Sequence, residues 1–202
     1  MFINKGIKMP VLQIPGLQDT IRKVAQHEVG HYIVARICGF SVGEISLELT
    51  DYTGAHNGSA VIELSQPLNN DIEKTKEFIE KRITVLYAGV LAENMMQGKI
   101  NEEAAIASLK TTGENDFSKI RELLNLLNNI KLDNNIDPQK SLTEIEIELW
   151  NKAIDMIEKE SQLIEGVASK FASLIKETHT KYILSEKDLE EIPNLKKRFL
   201  DS

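Results

Sequence analysis

Apolar positions along most of the chain recur at intervals of three and four, the spacing of helices with one buried face. Ile21, Val24, Val29, Ile33, Val34 and Ile37 mark a first helix, which Asp19 or Thr20 can cap and Gly39 can end. The period then changes to two. Ile45, Leu47 and Leu49 alternate with Glu44, Ser46 and Glu48, and a second run from Ser59 to Leu64 carries Ala60, Val61, Ile62 and Leu64. Turn-forming residues 51–58 lie between them, so the pair predicts a β-hairpin or small sheet with a loose loop.

Helical spacing returns with Ile72, Ile79, Ile83, Leu86, Val90 and Leu91. These predict a long helix from Asn70 or Asp71 to about Gln97, closed by Gly98. A short helix over Glu102 to Leu109, a turn at Thr111-Thr112-Gly113 and a helix over Asp116 to Leu127 follow. Asn128 to Lys140 is a polar loop with Asn-Asn and Asp-Pro signals. Ser141-Leu142-Thr143-Glu144 is a capping-box pattern that opens a helix reaching to about Lys176, and Ser185 caps a last short helix, Glu186 to Ile192. The pattern predicts a mainly α fold with a small antiparallel β element. Residues 1–18, interrupted by Gly6, Pro10, Pro15 and Gly16, read as an extended lead-in. Residues 19–202 read as one domain, with a first part over 19–127 and a helical C-terminal part over 141–192.

The bulk numbers narrow the class. A chain of 202 residues, 42% hydrophobic and 27% charged, is long enough to bury a core. The net charge of -7, with both signs mixed and no basic stripe, argues against nucleic acid as a partner. No stretch approaches the ~20 apolar residues of a membrane span, and the N-terminal stretch lacks the apolar run of a signal peptide. A single cysteine, Cys38, in an apolar context reads as a small buried hydrophobe and fits a reducing, cytoplasmic compartment.

The chemistry concentrates in His27-Glu28-Val29-Gly30-His31, inside the first helix. Two histidines four apart share a helix face one turn apart, so both imidazoles can aim at one ion. Zinc suits such nitrogen ligands. Glu28, one position on, sits beside the ion and can take a proton from an attacking water. Gly30 costs about 1 kcal/mol against alanine within a helix, which suggests that another segment approaches closely there. A catalytic zinc wants three protein ligands. Candidates for the third are His56, His179, Glu93 and Asp116, the two histidines being the weaker. On its residue type and position alone, Asp116 reads as a helix N-cap, and Glu93 reads equally as a partner of a ligating histidine or as a solvated residue.

These residues resemble the peptidase domain of the FtsH-type ATP-dependent zinc proteases. Val24 to Val34 looks like that family's H-E-x-G-H helix. Leu86-Tyr87-Ala88-Gly89-Val90-Leu91-Ala92-Glu93 looks like its second signature, and Thr112-Gly113-Glu114-Asn115-Asp116-Phe117 like its T-G-x-x-(N/D)-D segment. Ile183 to Ile192 is similar to its C-terminal end, so the resemblance runs in order over roughly residues 20 to 192. It implies a helical zinc-metallopeptidase fold, Zn2+ held by His27, His31 and Asp116, and Glu28 as general base. It also implies that the Gly58-Ser59-Ala60-Val61 run is an edge strand holding an extended polypeptide substrate.

There are departures. Val90 replaces the family's arginine, Asn94 its second glutamate, and the segment before Asp116 is one residue shorter. No G-x-x-x-x-G-K-[ST] occurs. The expectation is therefore a metalloendopeptidase without the ATPase module, acting on accessible or unfolded chains, with a separate ATPase and a homo-oligomeric ring as the partners the family suggests. The competing expectation is a non-catalytic zinc-binding or interaction module derived from such a peptidase. The retention of Glu28 counts against it, because a structural metal site needs no base.

Overall fold

The computed structural model describes Pro10 and residues 16–132 and 136–199. Most of the expected lead-in, and residues 133–135 of the expected polar loop, lie outside them. The fold is mainly helical with a small antiparallel sheet, in agreement with the hydrophobic pattern.

The first helix, α1 (Leu17–Ile37), is the axis of the molecule: every residue from Val24 to Ala35 is buried, including Gln26, His27, Glu28 and His31. It starts earlier than Asp19 or Thr20, because Leu17 is drawn into the core and Gly16, at φ 79°, turns the chain into the helix. Asp19 lies in the first turn instead, paired with Arg22 at 2.7 Å. Strands β1 (Ser41–Leu49) and β2 (His56–Glu63) form the expected hairpin, with a register shift between Val42 and Ile45. Its loop is not loose. Asp51 Oδ1 accepts from the backbone N–H groups of Thr53, Gly54 and Ala55 at 2.8 to 3.0 Å, which folds the turn onto one carboxylate.

The second long helix, α2 (Ile72–Glu93), is capped by Asp71, whose side chain accepts from the N–H groups of Glu73 and Lys74. It ends at Glu93, short of the expected Gln97. The chain then makes a minimal hairpin, β3 (Met95–Met96) with β4 (Lys99–Ile100), turning on Gln97 and Gly98 at φ 52° and 74°. Two successive positive φ angles suit a tight two-residue hairpin, so Gly98 serves that turn and not a helix end. Then come α3 (Glu102–Ser108) and α4 (Glu114–Lys131), the latter beginning one turn of loop after α3 and running past Leu127.

The long C-terminal helix is two helices, α5 (Pro138–Lys159) and α6 (Ser161–Leu174). Asp137 caps α5 and Pro138 takes the first position, where its missing N–H costs nothing. The Asp-Pro pair is thus a helix start, and Ser141 lies a turn inside. The break falls at Glu160, a buried carboxylate to which Arg198 donates from Nη2 at 2.9 Å and Nε at 3.1 Å. Apolar spacing runs on through it, from Ile157 to Ile164, so periodicity could not reveal the bend. It exists because α5 packs on α2 and α4, whereas α6 packs on α1. A four-residue strand, β5 (Lys181–Leu184), then pairs with β1, giving the sheet order β2-β1-β5. Ser185 caps α7 (Glu186–Glu190) through a reciprocal capping box with Asp188, and α8 (Pro193–Phe199) follows. β5 and α8 are too short for periodicity to detect.

Among the described residues, no helix is long and apolar enough to cross a membrane. Cys38 is buried, and burial pushes its thiol pKa up, as befits a packed hydrophobe.

Candidate metal centre

The site forms where α1 crosses α2. A Cβ on Gly30 would stand 2.6 Å from Ala92 Cβ and 2.7 Å from the Ala88 carbonyl oxygen. The steric reason expected for Gly30 is therefore the α2 backbone itself. Gly89, on the facing helix, does the same for the imidazoles: a Cβ there would lie 2.5 Å from His31 Nε2 and 2.6 Å from His27 Nε2. Small residues on both helices make room for two rings between them.

Both rings are held by their far nitrogens. His27 Nδ1 is 3.0 Å from Glu93 Oε2, and Thr112 Oγ1 donates to the same carboxylate at 2.9 and 3.0 Å. His31 Nδ1 is 2.7 Å from the Val85 carbonyl oxygen. Carboxylate and carbonyl oxygens only accept, so each Nδ1 donates in its pair, and each ring turns its Nε2 inward, where the neutral form offers a lone pair. The two Nε2 atoms are 3.1 Å apart. Asp116 Oδ2 completes the triangle, 2.9 Å from His31 Nε2 and 3.6 Å from His27 Nε2. Asp116 reaches it from the first turn of α4. Gly113 holds the cap position, so Asp116 does not cap the helix.

Three inward-facing acceptors at such separations repel unless a cation sits among them. A tetrahedral ion with bonds of about 2.0–2.1 Å has ligand–ligand edges of about 3.3–3.4 Å. The observed edges of 2.9 to 3.6 Å bracket that value. The donor set and the pre-oriented rings therefore fit a metal ion. In the protein alone the surrounding carboxylates favour a proton on His27. Burial pushes the His27 imidazole pKa down, but the Asp116 and Glu93 carboxylates and the nearby Glu28 charge outweigh burial and raise it well above the ordinary value. Burial raises the Asp116 carboxyl, and its hydrogen bonds to His27 and His31 win, holding it far below the usual carboxylate range.

Glu28 is buried beside the triangle and lines the same cleft of about 390 Å³. Its carboxylate lies against Gly58 of β2, where any Cβ would collide with Oε1. Among the described residues it makes no hydrogen bond, so its oxygens are free to accept one from a ligand. The cleft wall opposite α2 is the start of β2: His56, Asn57, Gly58, Ser59 and Ala60. β2 is an edge of its sheet, paired only with β1 among the described residues.

The other candidates separate cleanly. Glu93 is the hydrogen-bond partner of His27. His56 lines the cleft, but its Nδ1 is 2.9 Å from the Gly54 carbonyl oxygen and it is not in the triangle. His179, at φ 53°, has its N–H on the Leu49 carbonyl and does not line the cleft. Two of the residues at which the sequence departs from the pattern it resembles have visible local roles. Val90 packs beneath Gly113, and Asn94 donates to the Val90 carbonyl and to Ser108 Oγ, tying α2 to the end of α3.

Motif reading overlooked Arg82 and Lys119, which line the cleft as its cations. Lys119 pairs with Asp116 Oδ1 at 3.1 Å. The helical interval back from Glu93 through Gly89 and Leu86 leads to Arg82, a signal present in the chain but outside any motif. No family model matches the sequence, and a search of curated proteins finds no match either.

Proposed function

We propose that this chain is a zinc-dependent metalloendopeptidase, similar in its site to the peptidase domain of the FtsH-type proteases. The observation that carries the reading is the inward triangle of His27, His31 and Asp116 with the Glu28 carboxylate, which makes no hydrogen bond among the described residues, beside it. His27, His31 and Asp116 would hold the ion, with Glu93 and the Val85 carbonyl fixing the two rings. A bound zinc supplies Lewis acidity to the scissile carbonyl and lowers the pKa of water at the site.

The chain's own groups do the rest. Glu28 accepts the proton of the attacking water and returns it to the leaving amine. The open edge of β2 offers backbone donors and acceptors for an extended peptide laid along the cleft. Gly58 keeps that edge close to Glu28. Only unfolded or extended segments can be held this way, which supports a separate ATPase as the supplier of substrate. The single buried thiol supports a cytoplasmic setting.

The test combines metal analysis with cleavage of casein or an unfolded peptide, with and without chelator. Wild-type protein should bind one zinc and cut, and chelation should stop cleavage. Glu28→Gln should keep the zinc and lower turnover by roughly a thousandfold or more, at the upper end of general-base effects. Unchanged turnover in that variant would remove Glu28 from the mechanism, and a zinc-free wild-type protein would remove the whole reading.

A further inference from the structure

The face that α2 turns to the cleft is a stripe of Arg82, Leu86, Gly89 and Glu93, spaced as successive turns of one helix. Glu93 holds His27 and Gly89 underlies both imidazoles. Leu86 is apolar wall. Arg82 ends the stripe, seven residues and therefore about 10 Å along the helix axis from Gly89. It is partly buried, and burial pushes its guanidinium pKa down against the pull of the Asp116 charge. Among the described residues its guanidinium makes no hydrogen bond or ion pair. Lys119, the other cation of the cleft, is engaged by Asp116.

A half-buried guanidinium with five donors and no acceptor is an incomplete interaction. The charge of the cleft points to what completes it. Glu28, Glu93 and Asp116 outnumber Arg82 and Lys119 by one negative charge when the histidines are neutral. A divalent ion in the triangle turns that into one net positive charge, so the loaded cleft favours an anionic ligand group. An extended chain advances about 3.4 Å per residue. From the end of the stripe where Arg82 stands, the reachable group lies within a few residues of the scissile bond.

We propose that Arg82 is a specificity-determining residue that binds a substrate carboxylate near the scissile bond through a forked hydrogen-bonded pair. This rests on the peptidase reading of the same site. The carboxylate comes from an acidic side chain or from the free C-terminus of the substrate, and the same experiment separates the two.

Binding is measured by fluorescence anisotropy with zinc-loaded Glu28→Gln protein, which holds peptide without cutting it. Labelled peptides carry Glu or Gln at successive positions, each with a free or an amidated C-terminus. The arm that responds identifies the carboxylate. The acidic or free-terminus peptide should bind about tenfold tighter or more than its neutral twin, the range of a hydrogen-bonded charge pair. Adding Arg82→Gln should bring that ratio close to one, Arg82→Lys should keep part of it, and Arg82→Glu should invert it in favour of Lys-containing peptides. Zinc content and circular dichroism establish that each variant is folded and loaded. A ratio near one in both arms, or a ratio that survives Arg82→Gln, overturns the assignment of Arg82. If wild-type protein cleaves peptides without this preference, only Arg82 is reassigned. If wild-type protein binds no zinc and cleaves nothing, it is the peptidase reading that falls.

Discussion

The α1–α2 crossing and the α5–α6 arm both bury helix faces in the core, yet they are packed on opposite principles. The arm is filled with bulk: Leu149, Ile157, Ile164 and Phe171 are almost wholly buried. The crossing is emptied of it. Gly30, Ala88, Gly89 and Ala92 bring two backbones together, and the room left is given to His27, Glu28, His31 and Glu93, all buried and all polar. Bulk in the arm stabilises through apolar burial. Absence of bulk at the crossing leaves polar groups that a core would normally exclude, which costs stability unless they are mutually satisfied. The difference teaches where to expect loss of function and where to expect loss of fold.

The sharpest test pairs one substitution from each region. Gly89→Ala inserts a methyl group against both Nε2 atoms, so zinc occupancy should drop to near zero by metal analysis while the helical circular dichroism persists. Phe171→Ala should lower stability by about 3–5 kcal/mol in denaturant titration, with full zinc occupancy in the fraction that remains folded. Full occupancy in Gly89→Ala would break the comparison, because the crossing would then tolerate bulk as a core does.

A milder change should have a graded effect. Glu93→Ala leaves the three ligands in place but releases His27 Nδ1 and Thr112. Zinc affinity, read by competition with a chromogenic chelator, should fall about 10–100-fold, the usual cost of losing a partner that orients a ligating histidine. An unchanged affinity would make Glu93 a solvated residue, the other sense in which its sequence context can be taken.

The smallest step, taken per unit of pH, comes from titration. The carboxylates around His27 raise its pKa above the ordinary imidazole value, so the metal-free site binds a proton near neutrality. Metal binding must displace it. Apparent zinc affinity should therefore increase with pH, about tenfold per unit between pH 6 and 8 if one proton is released. A flat profile would show that the proton is not held where the triangle places it.

Much of the site was legible because it is local. His27, Glu28 and His31 lie within five residues of one helix, and the same-face relation of positions four apart needs no tertiary information. The need for closeness at Gly30 was legible too, since glycine inside a buried helix calls for a steric reason. What stayed hidden was hidden for physical causes. The bend at Glu160 leaves apolar periodicity intact and arises because α5 and α6 serve different neighbours. The strand at 181–184 exists only because β1 offers it an edge. Arg82 belongs to no motif, and only the α2 stripe draws attention to it.

The amino-acid sequence alone thus determined the mainly helical fold with its hairpin, and the helix that presents two imidazoles and a carboxylate in adjacent positions, because helical geometry is a property of neighbours along the chain. The resemblance implied Asp116 as the third ligand, but only the tertiary structure brought its carboxylate to the two rings and kept His56 and His179 away, set Glu93 and the Val85 carbonyl on the rings, and laid Glu28 against Gly58 of β2. Those relations join α1, α2, α4 and β2, segments far apart in sequence, and they are set by how closely small residues let the backbones approach.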